Sequence, residues 1–326
     1  MANPFVVIPR PGTHKSSEAP QIIPAPSEAD FIAVFGTLLP AASYLQTSKG
    51  RIAYYQLPSS APSRREDQSS MSRVLFVHGI QTPALGLQPL ASTLASRFPT
   101  AQCVLVDLWG HGLTDTPVLP HEPALFHELI EAVMAEIGWG KAHFVGFSFG
   151  AATTVKLAAK KPELFESMVL IAPAGVIREA GLSDLDRSFV RGLESEERTQ
   201  AWVVEYLEDG PLLVPGDWKE RVDRGEVVAL AVKDWSLKNH KGHRASVAGV
   251  IRDGGVFDTD AEFAKAAKTG IKSLCILGEL DGLSTAKDFH NAGFQDVVVV
   301  PKAGHGVPRD RVPEVAQSIE EFWKKL

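Results

Sequence analysis

Six short apolar runs set the rhythm of this chain: RVLFVHG (73–79), CVLVDLWG (103–110), HFVGFS (143–148), SMVLIAPAG (167–175), SLCILGEL (273–280) and DVVVVPKAG (296–304). Their Val, Ile and Leu follow one another without polar alternation, which predicts strands buried on both faces. Between the first four runs lie LQPLASTLASRF, ALFHELIEAVMAEIG and AATTVKLAAKKP, whose apolar positions recur near a 3.6-residue period and predict helices. Strands alternating with helices predict an α/β fold, a parallel sheet covered on both faces. Upstream, SYLQTS and RIAYYQL flank Lys49-Gly50 and predict a hairpin.

The alternation stops after Gly175. DLDRSFVRGLESEERTQAWVVEYLEDG and WKERVDRGEVVALAVKDWSLKNHKGHRASVAGVIRDGG then predict charged, Trp-containing helices, and the strand rhythm returns at 272. This break and restart predict an inserted helical subdomain. Residues 1 to about 30 are rich in Pro, Ser and Ala without periodicity and predict an arm or loosely packed extension. The polar stretch SSAPSRREDQSSMS (59–72) predicts a loop. No internal repeat is visible.

Composition narrows the class. At 326 residues and 44% hydrophobic content, the chain can bury one large core or two modest ones. A net charge of -6, with no basic stripe, argues against a nucleic-acid partner. Cys103 and Cys275, the two cysteines, both fall in apolar strand-like runs and predict buried thiols in a reducing compartment. No stretch approaches the roughly 20 apolar residues that span a bilayer. The N-terminus lacks a basic, then apolar, leader pattern. The expectation is a soluble, cytoplasmic protein.

The chemistry centres on Gly146-Phe147-Ser148-Phe149-Gly150, a G-x-S-x-G pattern. Alone it is weak, because glycine and serine are common. Placed between a buried strand and a helix, it predicts a nucleophile elbow, a turn too tight for side chains two residues either side of the serine. A serine hydroxyl needs a base, and the base needs an orienting carboxylate. His305, in the loop after the last strand, is the best-placed histidine. Asp281 is preferred to Glu279 as the acid because it lies in the loop past the last apolar strand residue, and the order Ser148, Asp281, His305 suits the architecture. An oxyanion hole should accompany them, built from the N–H groups of Phe149 and Ile80, with Gln81 as the neighbour that could replace Ile80. His78 is expected to brace that loop rather than react. Gln81, His111 and Phe147 are candidate substrate contacts.

Together, HGI (78–80), DLWGHGLTD (107–115), GFSFG (146–150), GELD (278–281) and AGH (303–305) make the chain resemble the α/β-hydrolase fold, in particular its serine hydrolases with a His-Gly oxyanion loop and a helical cap. Thr114 stands where serine is common in that family. The resemblance covers about residues 42–326. It implies an eight-stranded, mostly parallel sheet with helices on both faces. It further implies a core of 42–175 and 258–326, a cap at 176–257 and an extension at 1–41. No cofactor is implied.

Serine, in place of the carboxylate nucleophile of related epoxide hydrolases and haloalkane dehalogenases, points to acyl transfer. A small, apolar or bulky carboxylic ester, lactone or thioester is the expected substrate. Carbon–carbon bond hydrolysis of a diketone-like substrate is the first alternative. A binding protein on the same scaffold is the alternative of another class, and acyl transfer to another acceptor or lyase chemistry a third. Asp107 and Asp115 are expected to hold their loop. His240 and His243 are spaced to share a helix face, and no third ligand accompanies them, so they read as cap residues beside the cleft rather than a metal site. Leu212, Leu213 and Val214 suggest an apolar segment facing the cleft. Trp109, Trp202, Trp218 and Trp235 are candidates for the pocket or the cap core. Oligomeric state is not legible.

Overall fold

The computed structural model describes residues 5–13, 19–58 and 72–326. The polar stretch at 59–72 falls outside them except for Ser72. Eight strands form one sheet: β1 (Ser43–Thr47), β2 (Gly50–Gln56), β3 (Arg73–Val77), β4 (Gln102–Val106), β5 (Ala142–Phe147), β6 (Phe165–Ile171), β7 (Lys272–Gly278) and β8 (Asp296–Val300). Their spatial order is β8-β7-β6-β5-β3-β4-β2-β1. Neighbours from β8 through β4 pair in parallel, while β2 runs antiparallel to both β4 and β1. The chain has the α/β-hydrolase architecture. Every residue of β5 is buried, as its unbroken apolar run requires.

Register decides where chemistry can collect. Val77 at the end of β3 pairs with Val106 of β4 and Gly146 of β5, and Gly146 also pairs with Leu170 of β6. The carboxyl ends of the central strands are therefore level, and their following loops meet at one edge, where open α/β sheets place ligand sites.

Between β6 and β7 lie helices Asp184–Val190, Glu196–Glu208, Trp218–Asp223, Ala229–Asn239 and His243–Asp253. An isolated parallel bridge, Ile177 to Phe257, joins the two ends of this segment. No helix of the described residues is long and apolar enough to cross a membrane.

The stretch read as a loose arm, residues 1 to about 30, is tied down at several described places, and the helix at its end packs firmly. Ile8, Phe31, Phe35 and Leu39 are buried. Helix Glu28–Phe35 is capped by Ser27, whose Oγ accepts from Asp30 N. Phe31 and Phe35, four residues apart and so on one face, meet Trp235 edge-on at 5.2 and 5.9 Å between ring centroids. Further upstream, the Val6 carbonyl accepts from Gln200, and the Ile8 carbonyl from Arg252. Extended, proline-rich chain can be firmly held without showing any period, because its anchors are single side chains and backbone carbonyls.

Candidate active site

Gly146 and Gly150 explain the turn between β5 and the helix Phe149–Lys160. A Cβ on Gly150 would lie 2.2 Å from the Val77 carbonyl oxygen and 2.3 Å from that of His78. One on Gly146 would lie 2.6 Å from Ala151 Cα. Ser148 between them has φ 54° and ψ -116°, a conformation costing a side-chain-bearing residue about 1–3 kcal/mol. The strain lifts its hydroxyl out of the sheet edge over the start of a helix, whose first N–H groups have no intrahelical partner. Because backbone, not a flexible side chain, blocks Gly150, Gly150→Ala is expected to destabilise the fold by at least about 3 kcal/mol. Urea unfolding followed by circular dichroism would measure this, and a change below about 1 kcal/mol would contradict the packing described.

Ser148, His305 and Asp281 meet. The Asp281 carboxylate accepts from His305 Nδ1–H at 2.8 Å, which leaves Nε2 to accept from Ser148 Oγ at 3.0 Å. The Asp281 side chain is 4% exposed and that of His305 35%. Their loops are drawn together by the Leu280 N–H donating to the Ala303 carbonyl at 2.8 Å. A Cβ on Gly278 would strike the Gly304 carbonyl oxygen at 2.4 Å. Glu279 lies apart from this relay, its carboxylate accepting from Lys302 N at 2.8 Å.

The loop after β3 runs beside the serine. A Cβ on Gly79 would be 2.9 Å from that of Ser148. Gln81 has φ 67°, and its N–H donates to His111 Nε2 at 3.3 Å, so it is already engaged. Phe149 follows the serine at the start of its helix, and Ile80 lines the same cavity as Ser148. His78 braces the loop: its Nδ1–H donates to the Gly79 carbonyl at 2.6 Å and its Nε2 accepts from Leu108 N at 2.9 Å. Burial depresses its pKa to about 4, keeping it neutral as those bonds require.

His111 needs correction as a substrate contact. It is fully buried behind the Gln81 loop and is not among the residues lining the cavity. Its Nδ1–H donates to the Trp109 carbonyl at 2.9 Å. Burial, then its proximity to His243 and His78, holds its pKa well below the ordinary value. His240 and His243 are also buried and share no helix face, because the chain breaks between them. Each donates to a loop carbonyl of the core, Thr114 at 2.9 Å and Gly110 at 2.8 Å. Asp107 accepts from Ala84 N, Leu113 N and the Tyr55 hydroxyl, and Asp115 from Ala25 N and Arg51 N. Thr114 fits its place, its Oγ donating to the Asp107 carbonyl and accepting from Ala53 N.

A cavity of about 480 Å³ lies above the serine, walled by Ile80, Gln81 and Phe147 of the core and by Tyr206, Lys233 and Ile251 of the helices between β6 and β7. Lys233 is paired with Glu208 at 2.5 Å. Leu213 is 72% exposed, so the apolar 212–214 segment does not face the cleft. Of the tryptophans, Trp109 donates to the Leu125 carbonyl and Trp202 stacks between Phe189 and Tyr206. Neither they, Trp218 nor Trp235 lines the cavity. Arg309, which does line it, went unread in sequence; its place four residues past His305 was the only available signal.

A family model described as the alpha/beta hydrolase family matches residues 74–318. The chain belongs to the alpha/beta hydrolase family. Its curated relatives include a 2-(acetamidomethylene)succinate hydrolase of Mesorhizobium japonicum, 32% identical over 151 residues, 46% of this chain and 53% of that protein. The chain spans about half the length, or less, of the curated relatives it matches. Among solved structures, an enol-lactonase from Burkholderia xenovorans LB400 superposes with TM-score 0.62 at 18% identity, covering 86% of this chain and all of that one. A meta-cleavage product hydrolase from Pseudomonas fluorescens IP01 gives TM-score 0.60 at 17% identity, covering 88% and 98%. At these identities the two structural likenesses speak for the fold.

Proposed function

We propose that this alpha/beta hydrolase cleaves a carboxylic ester, lactone or thioester of a small organic molecule through an acyl-enzyme. The observation carrying the reading is the unbroken relay from Asp281 through His305 to Ser148 at the floor of a partly closed cavity. Ser148 Oγ attacks the acyl carbon as His305 Nε2 takes its proton. The resulting oxyanion is met by the N–H groups of Ile80 and Phe149. The leaving alcohol or thiol takes the proton back from His305 as the acyl-enzyme forms. Water then attacks, again losing its proton to His305, and Ser148 is released with the acid product. The names of the relatives, hydrolases of a substituted succinate and of enol-lactones, support the reaction class. Carbon–carbon hydrolysis of a diketone, for which the meta-cleavage product hydrolase is the precedent, uses the same three side chains and is a second outcome of one assay. That assay is a panel of aryl esters of graded acyl length, lactones and diketones, with products resolved by mass spectrometry in ¹⁸O-labelled water. Turnover of none of the panel, with no label entering any product, would refute the proposal.

The choice of acid has its own check. Asp281→Asn is expected to lower kcat by about 10³- to 10⁴-fold, because the histidine loses its orienting acceptor. Glu279→Gln should change it less than about threefold, since its bond to Lys302 N serves the loop alone. Steady-state kinetics of the two variants would overturn the assignment if Glu279→Gln proved the more damaging.

A further inference from the structure

Two residues that line the cavity carry side-chain donors that meet no acceptor among the described residues. Gln81 is 4% exposed, yet its Nε2 has no partner among the described residues. Arg309 is half-buried and its Nη1 is sealed from solvent, also without a partner among the described residues. None of their carboxylates forms an ion pair with its guanidinium. Lys233 in the same cavity is paired directly with Glu208, a carboxylate that reaches Arg309 only through space. A guanidinium keeps its charge even when desolvated, carries five donors and no acceptor, and matches a carboxylate with two parallel bonds. Asp310 and Glu208 lie near enough to Arg309 to favour its charge, yet no direct ion pair of the described residues occupies it, so a half-buried cation at the cavity wall keeps donors for an anion.

We infer that Arg309 and Gln81 form the receptor for a carboxylate carried by the substrate, so that the molecule cleaved at Ser148 is an anion. The inference rests on the acyl-hydrolase reading above. Phe147 sets the scale of such a substrate. The Arg309 guanidinium lies 5.1 Å from the centroid of its ring, and the His305 imidazole 5.3 Å from the same centroid. The two groups are thus no more than about 10 Å apart. A carboxylate held by Arg309 is therefore separated from the scissile carbonyl by a short chain, as in a monoester of a small dicarboxylic acid. The expectation of an apolar substrate is narrowed accordingly: one end is apolar or bulky and the other charged.

The test compares 4-nitrophenyl hydrogen glutarate with the neutral 4-nitrophenyl pentanoate, at low and high salt. Wild-type protein is expected to prefer the acid ester by at least tenfold in kcat/KM, mostly through KM, with the preference shrinking at high salt. Arg309→Gln should cut that ratio at least tenfold, and Arg309→Lys should restore part of it. Glutarate should inhibit competitively, and glutaramide should not. Because the arginine variants could fail to fold, the ester ratio and the inhibition of the wild-type protein stand alone as tests. Turnover of the neutral ester with no preference for the acid one overturns the inference and leaves the hydrolase reading intact. Inorganic phosphate inhibiting more strongly than glutarate also overturns it, in favour of a phosphoryl-bearing ligand. Turnover of neither ester, with no labelling of Ser148 by a fluorophosphonate, sinks the hydrolase reading instead. In that event glutarate binding by calorimetry, lost in Arg309→Gln, would still support the receptor, and its absence would remove it.

Discussion

Ser148→Ala is expected to lower kcat for an activated aryl ester by about 10⁴- to 10⁶-fold and to abolish labelling by a fluorophosphonate. The hydroxyl is the atom that forms the new bond, and nothing else at the floor of the cavity can replace it. Lys233 is tied to Glu208, and both cysteines are buried strand residues. The change should be structurally quiet, because the Ser148 backbone rather than its hydroxyl holds the turn. Its N–H donates to the Ile171 carbonyl, and its carbonyl accepts from Ala152 and Ala174. His305→Ala should cost about as much, and the double variant little more than either, since the base has no role without the nucleophile. A single variant keeping more than about 1% of wild-type kcat, free of wild-type contamination, would remove the mechanism.

Acid should unfold this protein between about pH 6.5 and 4. His78, His121 and His127 are pushed down by burial to about 4 and His243 to about 3, with His111 and His240 lowered by the same cause. In the folded chain the first three stay neutral to about pH 4 and His243 to about pH 3, and His111 and His240 shift in the same direction, whereas in the unfolded chain all six take up protons below about 6.5. The unfolded state therefore binds more protons in this window, and stability falls as pH falls through it. One histidine shifted from 6.5 to about 4 corresponds to about 3 kcal/mol, against a total stability of about 5–15 kcal/mol for folded proteins. Asp107 works the other way. Burial raises its carboxyl to about 6, so protonation favours the folded state between about 6 and its unperturbed 3.8. One opposing carboxyl does not cancel six histidines. Thermal midpoints by calorimetry should be flat from pH 8 to 7 and fall steeply below 6.5. A midpoint at pH 4.5 equal to that at pH 7.5 would contradict the assignment of these histidines as neutral.

What could be read from the residues, and what could not, follows from the range of the forces involved. The buried strands were legible because Val-, Ile- and Leu-rich runs such as CVLV and DVVVV are local signals, and all six strands appear within a few residues of them. The GFSFG turn was legible because sterics demand glycine at both flanks. Asp281 was preferred to Glu279 for lying past the last apolar residue of the run, Leu280, and it is the carboxylate that contacts His305. His111 misled because a histidine at a strand's carboxyl edge can face either the cleft or the packed layer behind it. Only the long-range bond from Gln81 N decides the matter. His240 and His243 misled for the same reason, since their partners are core carbonyls more than a hundred residues away. The N-terminal residues hid their packing because Phe31 and Phe35 make one i, i+4 pair in a two-turn helix and Ile8 stands alone, too short a pattern to read as a period.

That outer strap has a consequence for traffic. The Phe31 and Phe35 rings lean on Trp235, and the carbonyls of Val6 and Ile8 accept from Gln200 and Arg252, so residues ahead of β1 hold the helices between β6 and β7 at separate places. Helices secured in this way do not swing on one hinge. Exposed Leu280 and Leu283 line the cavity beside Asp281, together with Tyr206 and Asp209, so substitutions at these side chains are expected to change how fast ligands enter and leave.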